Sequence, residues 1–178
     1  LEHRIDDIIL LFNQCFLEQY NTRLVRGGKE PVYLPAGDGR THHELHFAHG
    51  FYRSALHESA HWLIAGEARR QQVDFGYWYE PDGRTVQQQS LFEQVEVKPQ
   101  ALEWILSQAA GVQFRVSVDN LDGEPSDSSA FKQAVYSQVL SYVQHGLWPR
   151  AERLRLALCR FYQREETLSA EHYDPQQL

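Results

Sequence analysis

Two histidines four residues apart, with a glutamate directly after the first, stand in the string His57-Glu58-Ser59-Ala60-His61. On an α-helix, positions i and i+4 stack on one face, so both imidazoles can address one cation, and the glutamate falls beside whatever that cation activates. A shuffled chain of this composition would carry about 0.04 such matches, which makes accident a poor account of it. The flanks agree. Residues 51–65 contain no proline and lie between Gly50 and Gly66, so they are expected to form one helix of about four turns. Leu56, Ala60, Leu63 and Ile64 would make its buried stripe. The metal-free alternative, a pair of hydrogen-bonded core histidines, leaves two imidazoles and a carboxylate within an apolar helix, which is costly without a cation or partners.

The 178 residues are enough for one sizeable core, and a single domain over residues 1–178 is expected. No apolar run approaches the ~20 residues that a membrane span requires. Leu1-Glu2-His3-Arg4 leads into an acidic amphipathic stretch, unlike a secretory signal, so the expected location is cytoplasmic. Cys15 and Cys159 lie far apart in apolar helical patterns and read as free thiols. The net charge of −7 repels phosphate backbones, so no nucleic-acid partner is expected. Arg150, Arg153, Arg155 and Arg160 read as a solvated helix face.

Ile5, Ile8, Ile9, Phe12 and Phe16 recur with helical spacing and predict a helix from 5 to about 19. Residues 31–35, bracketed by prolines, suggest an edge strand, and residues 45–48 a strand feeding the histidine helix. Residues 73–79 are the richest in β-formers, and residues 114–118 alternate, so both are expected to be strands. From Gln87 the period is helical again: Phe92, Val95, Pro99, Leu102 and Leu106 share a face, with Pro99 either kinking one helix or opening a second. Helices at about 127–144 and 149–164 follow, then a short piece at 169–173 that Ser169 could cap. Few strands among many helices predict an α+β (mixed α/β) fold, a small sheet covered by helices.

Two histidines do not complete a catalytic metal site, which commonly takes three protein ligands. Glu96 is the first choice, since Phe92, Glu96 and Pro99 at i, i+4 and i+7 share an inward face. Glu93 and Glu103 are its rivals, with Glu93 also placed to accept a hydrogen bond from a ligand. A third imidazole from His46 or His49 would favour zinc, while His42 and His43 belong to the same dense loop cluster. Glu58 would take a proton from metal-bound water in a zinc hydrolase, protease or ribonuclease, or orient ligands and shuttle protons in an oxygen-activating site. Two histidines and one carboxylate on Fe(II) leave positions for O2, whereas zinc does no redox chemistry.

The string HESAHW at 57–62 is preceded by FAHGFY at 47–52 and followed by VDFGYWY at 73–79, PDGR at 81–84 and VEVKPQAL at 95–102. With NTRL at 21–24, YLPA at 33–36, Ala65-Gly66 and DNL at 119–121, it closely resembles the bacterial elongation factor P hydroxylases along almost the whole chain. The resemblance implies a non-haem iron monooxygenase that hydroxylates the β-lysylated lysine of translation elongation factor P, a late modification step. It implies a 2-His-1-carboxylate centre falling on His57 and His61, and a fold like that of metal-dependent ribonucleases of the YbeY type. The 2-oxoglutarate oxygenases order their ligands as H-x-D, which the H-E-x-x-H string at 57–61 does not follow, so 2-oxoglutarate is not expected as cosubstrate. A β-lysylated lysine presents ammonium groups, which Asp74, Glu80, Asp82, Asp119 or Asp122 could receive, with Tyr77, Trp78 and Tyr79 lining the entrance.

Overall fold

A computed structural model describes residues 2–76, 83–118 and 127–178. Among them are five α-helices and three strands in the order α1 (Ile5–Tyr20), β1 (Thr22–Arg26), β2 (Val32–Leu34), β3 (His43–Phe47), α2 (Tyr52–Ile64), α3 (Val86–Ala110), α4 (Ser129–His145) and α5 (Pro149–Phe161). This is the expected mixed α+β arrangement, a small sheet with helices around it.

Helix α1 ends where Asn21 turns left-handed at φ 48°, a conformation its short polar side chain tolerates, and its backbone N–H closes the helix on Phe16 O. The chain then enters β1, which the sequence pattern had not suggested. In the sheet order β1-β3-β2, β3 is central, parallel to β1 with Leu24 opposite Leu45, and antiparallel to β2 with Tyr33 opposite Leu45. The proline-bracketed strand is therefore an edge, as expected. Phe12 and Phe16 of α1 meet the Trp62 ring of α2 at 5.2 and 4.8 Å, the first edge-on and the second tilted, which joins α1 to the histidine helix.

Helix α3 is the spine. Thr85 and Gln88 form a capping box at its start, and Gly111, left-handed at φ 75°, ends it. Pro99 sits inside this one 25-residue helix rather than opening another. Leu102 and Leu106 join the cluster built from α1, the sheet, α2 and α5. Ala101, Trp104 and Ile105 join a second cluster with Phe114, Phe131, Val135 and Val139. With apolar neighbours on both sides, the C-terminal half of α3 is almost wholly buried, but Val95, expected on the inward face, is exposed.

One expected strand is corrected and another is described only in part. Within 73–79 the described residues make only a single bridge: Tyr33 and Asp74 exchange backbone hydrogen bonds of 2.7 and 3.0 Å. The Asp74 carboxylate then accepts the Gly76 N–H at 2.8 Å and bends the chain away, with Gly76 at φ 81°. Residues 77–79 lie outside the described residues. Residues 114–118 form no strand because side chains take their backbone groups. Gln100 donates to Ser117 O at 2.7 Å and accepts from Ser117 N at 3.0 Å, while Arg84 Nη2 donates to Val118 O at 2.7 Å.

The α5 arginines also divide. Arg153 and Arg160 are solvated as expected, but Arg155 is buried in a pair with Glu152, and Arg150 turns inward onto α2. Cys15 and Cys159 are free thiols, as expected. Ser169 Oγ caps a 3-10 turn at Ala170–His172 by accepting from Glu171 N.

Candidate metal centre

Helix α2 buries Leu56, Ala60 and Leu63 beneath the sheet and turns His57 and His61 toward α3. Their Nε2 atoms are 3.1 Å apart. Glu96 of α3, 1% exposed, points its carboxylate between them, with Oε1 3.0 Å from His61 Nε2 and Oε2 3.7 Å from His57 Nε2. These ligand atoms all lie within 4.8 Å of one another.

The spacing fits a single ion. With metal–ligand bonds of about 2.0–2.2 Å, ligands at right angles stand about 3.0 Å apart and tetrahedral ones about 3.4 Å apart. His57, His61 and Glu96 would supply three donors from two helices to such an ion. Without a cation the same groups must share protons instead, His61 Nε2 facing both His57 Nε2 and Glu96 Oε1.

The neighbouring side chains fix the donors. Glu103, one helical heptad after Glu96, accepts from His57 Nδ1 at 2.8 Å. That bond assigns the ring's other nitrogen, Nε2, to the triad. Gln100 Nε2 donates to Glu96 Oε2 at 3.3 Å and is itself clamped on Ser117. Burial alone would raise the Glu96 carboxyl, but the imidazoles, His61 foremost, outweigh it and hold it down to about 2. At His57 burial works against the charged ring, yet Glu103, then Glu96 and Glu58, keep it well above the ordinary histidine value. Burial pushes the Glu58 carboxyl up, against the pull of His57 and His61. The surroundings of His57 thus favour a positive charge there, whether proton or metal ion.

Glu58 accepts no hydrogen bond and joins no ion pair among the described residues, and it lies with His57 and His61 on the floor of an open cleft of about 780 Å³. Glu93 does not serve the histidines: it accepts from Gln89 Nε2 at 3.3 Å, and the acceptor role expected for it falls to Glu103. No third imidazole joins the described site. His42 bonds Asn21, His43 accepts from Ala36 N, and His46 meets Glu44, each engaged elsewhere, while His49 stands exposed on the cleft wall. Asp74 is not a free receptor for an ammonium group, since Arg69 and the Gly76 N–H occupy its carboxylate. Asp82, Asp119, Asp122, Glu80 and Tyr77 lie outside the described residues.

Glu103 and Gln100 are the residues that reading the sequence undervalued. Their signal is a polar stripe of spacing 7, 4 and 3 along α3, Gln89-Glu93-Glu96-Gln100-Glu103-Ser107, of which all but Glu93 are buried. A polar stripe on a helix usually means a solvated face.

Two imidazoles one helical turn apart, a carboxylate from the crossing helix and an open cleft above them make a cluster of the kind that could hold one metal ion. The family model for elongation factor P hydroxylase matches residues 11–173. The elongation factor P lysine hydroxylase of Haemophilus influenzae is 59% identical over 174 residues, covering 98% of each chain. This chain belongs to the elongation factor P hydroxylase family. Neither comparison favours the hydrolase alternative.

Proposed function

We propose that the protein is a non-haem Fe(II) monooxygenase that hydroxylates the β-lysylated lysine of elongation factor P, using O2 without 2-oxoglutarate. The observation that carries this reading is the His57-His61-Glu96 cluster at ligand spacing, in a chain of this family. Fe(II) held there would supply activation of O2, chemistry that zinc does not perform. In the net reaction one oxygen atom enters a C–H bond and the other leaves as water. Two electrons come from an external reductant and two protons from solvent.

The chain's own groups supply the rest. Glu103 holds the His57 ring so that Nε2 faces His61 and Glu96, where it could serve as a ligand, and Gln100 holds Glu96. Glu58, its carboxyl raised by burial, is the group placed to hold or pass a proton at the cleft floor. The carboxylates of Glu58 and Glu103 also make the floor acidic, which suits an incoming lysyl ammonium. Asp82, Asp119 and Tyr77 remain part of the proposal as further substrate contacts. No helix among the described residues is long and apolar enough to cross a membrane. We read the chain as one cytoplasmic domain whose partner is a protein, not nucleic acid or membrane.

Metal analysis combined with oxygen uptake tests the reading. The iron-loaded protein should consume O2 in step with turnover of β-lysylated elongation factor P, and the zinc-loaded protein should not. Bond hydrolysis by the zinc form with no O2 uptake would contradict it.

A further inference from the structure

The mouth of the cleft carries the opposite charge to its floor. Lys29 on the loop between β1 and β2, Arg53 on the first turn of α2 and Arg115 after α3 all line it and are all exposed. Arg53 Nη2 donates to the backbone O of Arg115 at 3.2 Å, which sets two guanidinium-bearing residues side by side. None of the three forms an ion pair with a carboxylate among the described residues, in a chain whose net charge is −7. Glu30, exposed on the same rim, is the one acidic residue beside these three cations among the described residues, so the mouth keeps a net positive charge that attracts an anionic surface. Phe51 and Phe75, 65% and 51% exposed, stand on the same rim.

We propose that Lys29, Arg53 and Arg115 dock an acidic face of the protein substrate, around the lysyl side chain that descends to the acidic floor. The inference rests on the proposed function and adds how the partner is chosen. A substrate that is cationic at its tip and anionic around its base matches both zones at once. A lysine on a basic surface would match the floor and be repelled by the rim. A nucleic acid matches the rim alone, because its phosphates offer no cation to Glu58 and Glu103.

The test uses the full-length, iron-loaded protein with β-lysylated elongation factor P, measuring binding by fluorescence anisotropy and turnover separately at low and high salt. The Arg53→Glu, Arg115→Glu double variant is expected to weaken binding and raise KM about tenfold, with the loss residing in KM rather than kcat and with a flatter salt dependence. Lys29→Glu, on another element, should shift both in the same direction. A short neutral peptide carrying the same modified lysine should be turned over alike by all forms. The proposal is overturned if the factor fails to bind the unsubstituted protein, or if both variants keep its affinity and salt dependence. It is also overturned if the short peptide loses as much as the factor, or if a single-stranded RNA binds more tightly than the factor and is lost in the variants. Firm, charge-dependent binding without oxygen incorporation would support the docking surface while contradicting the proposed reaction.

Discussion

Glu103 receives the Nδ1–H of His57 at 2.8 Å while only 6% exposed, so its charge acts on the ring with little screening by water. Removing that charge while keeping the shape should loosen the site without dismantling it. Glu103→Gln is expected to weaken Fe(II) binding about 10–100-fold, read by competition with a chelator, with unchanged far-UV circular dichroism. Unaltered affinity would mean that the ring is held by packing alone. A second carboxylate permits a test by pH. Glu44 sits opposite Arg23 in the β1–β3 register, and the hydrogen bond from Arg23, assisted by His46, holds its carboxyl below the ordinary glutamate value. Because the folded-state value is depressed, this stabilisation is complete above the ordinary glutamate value and is lost as pH falls from there through the lowered one. Glu44→Gln should therefore cost stability at pH 7, with the gap to the parent protein closing in that acidic window. Denaturant melts across pH measure it, and a pH-independent gap would contradict the assignment.

At the scale of elements, the C-terminal end of α2 decides how firmly His61 is placed. Arg150 of α5 donates to Trp62 O at 3.1 Å, Leu63 O at 3.0 Å and Ala65 O at 2.8 Å, and its guanidinium lies 4.7 Å from the centre of the Trp62 ring. A cation on the last carbonyls satisfies groups that the helix itself cannot and opposes the negative end of its dipole. Arg150→Ala should cost about 2 kcal/mol, seen as a lower Tm, and should speed hydrogen exchange in the last turn of α2. Exchange unchanged in that turn would place the stabilisation elsewhere. The sequence made α2 legible because its apolar stripe and its two histidines obey one period between two glycines. It made α1, α4, α5 and the edge strand legible for similar reasons of local patterning. Strand β1 escaped because Thr22, Arg23 and Arg26 carry no clear alternation and the strand is specified by its partner β3. Residues 114–118 misled in the opposite way, since an alternating string has no means of showing that Gln100 already occupies its backbone. On α3, Glu96 was legible from its distance to Phe92 and Pro99. The role of Glu103 was not, because a buried polar stripe has the same spacing as a solvated one.

The molecule brings its parts together by crossing α2 over α3, so that two side chains local in sequence meet a third some 35 positions on. The sheet and α1 fix α2 from one side, and the second apolar cluster fixes α3 from the other. What remains open is the cleft, acidic at the histidines and basic at its mouth. The proposed reaction inserts oxygen into a modified lysine of elongation factor P. Intact-mass analysis of the β-lysylated factor, after incubation with the iron-loaded protein, a reductant and air, tests it most directly. A mass gain of one oxygen atom is expected, absent without iron and absent with Glu96→Ala. A factor of unchanged mass in the presence of iron-loaded protein, or an equal gain with the Glu96 variant, would contradict it.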